Sequence, residues 1–117
     1  LCNYSILSGM NLMVKKVEFL SVGGFDEQYY LGFYDLDFCI KLRIQGKLNT
    51  YNGFSHWRYN VRNLIMGYEA ADVKKDKEAL NEEYNLFRKN QFDFLNKVDP
   101  FYSPNFSTKY DAYTIAD

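Results

Sequence analysis

Apolar residues recur at three- and four-residue steps between Phe33 and Gln45. Phe33, Leu36, Ile40 and Ile44 share one face, and Gly46 closes the pattern, so the spacing predicts a helix over this stretch. Upstream, Lys15 to Val22 carries Val17, Phe19 and Leu20 at helical spacing. The Gly23-Gly24 pair stops that short helix, the first glycine suiting a left-handed C-terminal position. Phe25 then returns the chain to the core and leaves Asp26 and Glu27 on a loop. Before this helix, Met10, Leu12 and Val14 fall on one face at strand spacing, which predicts a strand over 7–14. Gly9 inside it removes a side chain where a ligand or another backbone comes close, or else marks a bulge or a crowded crossing.

Downstream, Lys47 to Tyr51 predicts a short strand that ends in the turn signal Asn52-Gly53. Residues 58–71 read as loop with some helix, since Gly67 interrupts the turn suggested by Val61, Leu64 and Ile65. From Asp72 to Lys97, Leu80, Tyr84, Phe87, Phe94 and Leu95 keep helical phase, predicting one long amphipathic helix or two broken ones. The tail contains Pro100 and Pro104 among many turn formers and should be irregular. The expected fold class is therefore α/β, a single domain with a short mixed sheet, flanking helices and a long C-terminal helix. Residues 1–71 form its sheet-and-helix portion and 72–117 a helical strap and tail.

Charge and composition narrow the partners. The net charge is -1 with acidic and basic residues interleaved, so nothing resembles a footprint for nucleic acid or a polybasic membrane patch. No run approaches the roughly 20 apolar residues that cross a bilayer. The first residues lack a charged-then-apolar leader, and the reading is a soluble, cytoplasmic chain. Cys2 and Cys39 fit neither a disulfide framework nor a metal cluster, and Cys39 falls among apolar helix neighbours. Eleven Tyr and ten Phe suit sugar-handling surfaces, but plain cores and interfaces are the commoner use of such rings.

The candidate chemistry lies between Gly23 and His56. Asp35 stands at a predicted helix start, where a carboxylate either caps and complements the dipole or takes a proton from a substrate hydroxyl. Asp37, two residues on, faces another side of the helix, so the pair does not share one task. His56, the single histidine, adjoins the single tryptophan, Trp57, at the end of the second predicted strand. It reads as a structural hydrogen-bonding residue or as one metal ligand needing partners from elsewhere. Phosphate loops, GxGxxG and GxSxG patterns are absent.

Taken in order, Ser8-Gly9, a short helix, VGGFDE at Val22 to Glu27, FYDLDFCIKLRIQGK and a strand leading to His56 resemble the C-terminal half of a family 2 glycosyltransferase. The tail DPFYSPNFS, Asp99 to Ser107, resembles the ending of bacterial members that build surface polysaccharides. Tyr34 stands where that family usually has Glu, and Lys41 where Arg is common. The resemblance implies a GT-A fold and inverting transfer of a sugar from a nucleotide-diphosphosugar to a glycan acceptor. It implies Asp35 as general base, Asp26 and Glu27 as the acceptor-side, substrate-binding loop, and His56 as a ligand to a divalent metal, Mn or Mg; Tyr34 and Trp57 are read as further substrate-binding residues.

The family's donor-binding strands and Asp-x-Asp motif lie upstream of the Ser8-Gly9 region. The resemblance therefore implies an acceptor-side portion that is inactive alone, from a parent enzyme associated peripherally with the inner face of a membrane. Self-association of the isolated chain is expected. The alternative is a non-catalytic module that binds glycan or self-associates.

Overall fold

The computed structural model describes residues 1–56, 58 and 70–107. They form a small mixed α/β domain. Strand β1 (Cys2–Tyr4) is followed by a 3-10 turn (Gly9–Asn11), helices α1 (Lys16–Ser21) and α2 (Tyr34–Ile44), strand β2 (Asn49–Tyr51), the long helix α3 (Ala70–Asn90) and the short α4 (Phe92–Leu95). The two strands pair antiparallel, with Cys2 opposite Tyr51 and Tyr4 opposite Asn49. The sheet among the described residues is thus antiparallel and two-stranded, not mixed.

Both sequence-predicted helix stops have the same cause. After α1, the Gly24 amide donates to Phe19 O (2.9 Å) and the Gly23 amide to Leu20 O (3.1 Å). After α2, Lys47 N donates to Leu42 O (3.0 Å) and Gly46 N to Arg43 O (2.9 Å). This double closure needs a residue at positive φ just past the helix, and Gly23 (79°) and Gly46 (78°) supply it without a Cβ penalty.

The predicted strand over 7–14 is a correction. Ser8 Oγ accepts a hydrogen bond from the Met10 amide (3.4 Å), which favours a turn. The Gly9 amide is taken by Asp35 Oδ2 and cannot enter a ladder. Met10 is exposed and does not share a buried face with Leu12 and Val14. The expected strand at 47–51 is present as the shorter β2.

Tyr29, Ile40 and Phe87 form the buried core, with Ile6, Phe33, Tyr34, Leu36, Leu86 and Phe94 packed against it. A second aromatic group joins α1 to α2: Phe25 meets Phe38 at 5.1 Å and Tyr34 at 5.4 Å between ring centroids, and Phe19 meets Phe38 at 5.4 Å. Asn49 ties sheet to helix, its Nδ2 donating to Ser5 O (2.8 Å) and Cys39 O (3.1 Å). Ile44, expected on the buried face of α2, is 68% exposed because the helix ends as it leaves the core.

The long helix bears a different stripe from the one its apolar residues suggest. Leu80 and Tyr84 are exposed, while Glu83 and Phe87, and Gln91 just past the helix end, spaced by four, are buried. Two of these three are polar because polar groups await them: backbone amides at 30–32 and the Asp37 carboxylate.

Candidate functional site

The residues singled out in the sequence fall into two groups, one assembled around the start of α2 and one not. Asp35 sits in the first turn of α2, half-buried. It is not the N-cap, a position held by Phe33, whose side chain makes no capping bond. Its Oδ2 accepts from the Gly9 amide at 2.6 Å and its Oδ1 from the Leu36 amide at 3.0 Å. Both oxygens are therefore oriented by backbone donors, and each keeps lone-pair capacity for a further proton. A Cβ added to Gly9 would lie 2.9 Å from Asp35 Cβ and 3.3 Å from the Tyr34 ring. The glycine thus serves a crowded crossing in which the neighbour is the candidate base.

Tyr34 precedes Asp35 and sets its ring edge-on to Phe25, the residue before Asp26 and Glu27. That contact brings the acidic loop and the start of α2 into one neighbourhood. Asp26 turns the loop: its Oδ1 accepts from the Gln28 amide at 3.0 Å, and its backbone carbonyl accepts from Tyr29 N at 3.1 Å. Glu27 is exposed.

Asp37 has a separate task, as its spacing from Asp35 implies. It is 2% exposed, accepts from Gln91 Nε2 at 2.6 Å and pairs with Lys41 Nζ at 2.7 Å, so it fastens α2 to the segment joining α3 and α4. Lys41, at a position where the resembled family favours Arg, is thereby engaged with Asp37.

His56 is exposed, and Trp57 lies outside the described residues. Among the described residues no three His, Cys, Asp or Glu side chains come together in a way that would hold a metal ion.

One residue the motif reading passed over is Glu83. Its carboxylate, 6% exposed, accepts three consecutive backbone amides: Tyr30 (3.0 Å) and Leu31 (3.1 Å) on Oε1, and Gly32 (3.0 Å) on Oε2. The signal for it was a carboxylate four residues before Phe87, and so on the same helix face as that apolar position. The tail is also anchored: Asp99 Oδ1 accepts from Ser5 Oγ (2.7 Å) and from the Phe101 amide (2.9 Å), and the Arg43 guanidinium lies 4.7 Å over the Phe101 ring.

Burial pushes the Cys39 thiol above its usual range, an effect that the Leu7 backbone opposes and the nearby Asp35 charge reinforces. A buried thiol held protonated in this way is a packing group and a poor nucleophile.

No family model matches the chain, and no solved structure matches it. It is 27% identical over 115 residues to an uncharacterized protein, y4gI, of Sinorhizobium fredii (strain NBRC 101917 / NGR234), an alignment covering 97% of this chain. The chain spans 12% of the length of that relative. No helix among the described residues is long and apolar enough to cross a membrane.

Proposed function

We propose that this chain is the acceptor-side portion of an inverting glycosyltransferase of GT-A fold, with Asp35 as the base that takes the proton from an acceptor hydroxyl. The observation that carries the reading is the Asp35 carboxylate, fixed by the Gly9 and Leu36 amides at the start of α2 beside the loop bearing Asp26 and Glu27. A base fixed before substrate arrives needs little reorganisation to meet the attacking hydroxyl.

In the step so read, the acceptor oxygen forms a bond to the anomeric carbon as the bond to the nucleotide diphosphate breaks. The acceptor proton passes to Asp35, and configuration inverts. Tyr34 and the exposed Glu27 supply a ring and a carboxylate for acceptor hydroxyls. The nucleotide-diphosphosugar is bound by groups outside these 117 residues. His56 contributes at most one ligand to a divalent metal completed by those groups. On this reading the parent works at the cytoplasmic face of a bacterial membrane in surface polysaccharide synthesis.

The test is Asp35→Asn in the full-length parent, assayed for sugar transfer from nucleotide-diphosphosugars. Transfer should fall to background while the fold, followed by circular dichroism, is kept. Near-normal turnover removes Asp35 from the mechanism.

A second reading, a self-associating module without catalysis, is favoured by the exposure of Met10 (64%), Met13 (93%), Val17 (67%) and Leu20 (63%) within one short stretch. Light scattering of the isolated chain at micromolar concentration tests the module reading, although self-association is expected on the transferase reading as well. The module reading requires a dimer or larger species, and a clean monomer sinks it.

A further inference from the structure

We propose that Glu83 is a positioning residue for Asp35, acting from the long helix through the backbone of residues 30–34. Its catalytic consequence rests on the transferase reading above, while its structural core does not.

The connection can be traced bond by bond. Glu83 gathers the amides of Tyr30, Leu31 and Gly32 on one buried carboxylate. Three backbone donors in consecutive residues point the same way only if that stretch is held in a tight curve, and a charged acceptor makes each such bond stronger than a neutral one. Next, Gly32 O accepts from the Tyr34 amide at 2.8 Å, which throws the intervening Phe33 into the left-handed region at φ 60°, ψ -11°.

A β-carbon-bearing aromatic residue does not adopt that conformation without support. The support comes from the same helix that carries Glu83. Phe33 stacks on Phe87 with centroids 5.3 Å apart and interplanar angle 26°, and packs near Tyr84 at 5.9 Å. Finally, Phe33 O accepts from the Asp37 amide at 2.8 Å, opening the hydrogen-bond ladder of α2. Asp35 lies within that first turn, and the direction of its side chain follows from where the turn begins.

An ordinary loop staple would need none of this. A staple holds 30–32 and leaves the Asp35 carboxylate where its own contacts put it. A positioning residue moves the Asp35–Gly9 bond when it is changed, although Glu83 touches neither group.

The Gly9 amide therefore reports on the proposal directly. In the isotope-labelled chain, its 2.6 Å bond to a carboxylate predicts a proton resonance well downfield, with slow exchange. In Glu83→Gln, an isosteric change that sets a side-chain NH2 against the Gly32 amide, exchange at Tyr30, Leu31 and Gly32 should quicken at least about tenfold. That is the scale of one lost hydrogen bond to a charged acceptor. The Gly9 resonance should move upfield and exchange faster in the same variant. In the parent enzyme, kcat should fall roughly 10- to 100-fold with KM little changed.

A Gly9 resonance at its wild-type position beside accelerated exchange at 30–32 overturns the proposal and leaves a staple. Unchanged exchange at 30–32 overturns it as well, and so does an active parent whose kcat ignores the substitution. A wild-type parent with no transferase activity sinks the transferase reading instead, and the Gly9 resonance then decides the role of Glu83 by itself. Should Glu83→Gln fail to fold, Glu83→Asp, which keeps the charge but withdraws it by one methylene, gives the same readouts.

Discussion

The amide of Gly9 donates to Asp35 Oδ2 at 2.6 Å across 26 residues of sequence, and a Cβ placed on Gly9 would stand 2.9 Å from Asp35 Cβ. The bond and the missing side chain are one arrangement: the backbone comes this near the carboxylate because no Cβ intervenes. Gly9→Ala should therefore destabilise the chain by about 1–3 kcal/mol through overpacking. It should also displace Asp35. Chemical denaturation of the two proteins checks the first effect, and transfer activity of the full-length parent checks the second.

Asn49 is buried, and its amide serves two backbone carbonyls, Ser5 O and Cys39 O. Neither carbonyl is part of the β1–β2 pairing, which runs from Cys2 to Tyr4 on one side. Asn49→Ala removes that donor from both, although the Cys39 carbonyl keeps its bond within α2, and the loss costs about 1–3 kcal/mol. The denaturation midpoint should fall accordingly, whereas Thr50→Ala, at an exposed site, should change it little.

Phe33→Gly sets two effects against each other. Relief of the left-handed backbone at φ 60° is worth roughly 1–2 kcal/mol. Loss of a packed phenyl ring costs about 3–5 kcal/mol when the ring is fully buried, and somewhat less for the half-buried Phe33. The ring should win, giving net destabilisation of about 1–2 kcal/mol. A Phe33→Gly chain more stable than wild type would mean that the stack on Phe87 contributes little.

Alkaline pH should weaken the fold. Burial raises the Tyr29 hydroxyl above its ordinary 10.0, with the Asn90 bond opposing and the Asp37, Asp26 and Glu83 charges reinforcing. Burial likewise raises the Cys39 thiol above 9.0. Both groups hold their protons more tightly folded than unfolded, so their contribution is complete below the unfolded values and is lost as pH climbs through the folded ones. Thermal midpoints should decline from about pH 9 upward. Cys39→Ala should lessen the decline near its onset, and a flat profile to pH 11 would contradict the assignment.

The parts of this fold that were legible in the chain are those decided by neighbours in sequence. Gly23 and Gly46 end helices because positive φ is cheap only for glycine. The period of Phe33, Leu36, Ile40 and Ile44 marked the inward face of α2 only in part: the first three pack on the core, while Ile44 is exposed and the buried Phe38, Cys39 and Leu42 fall outside the series. The separation of Asp35 from Asp37 onto different tasks follows from helical geometry alone.

Other features depended on partners far away along the chain. The stretch over 7–14 alternates loosely enough for a strand, but the Gly9 amide is claimed by a carboxylate 26 residues on, which no local pattern announces. Glu83 on α3 and Gln91 just beyond its end are buried because amides at 30–32 and the Asp37 carboxylate stood ready to receive them. A carboxylate buries only where donors meet it, and where those donors stand is set by the packing of the whole domain.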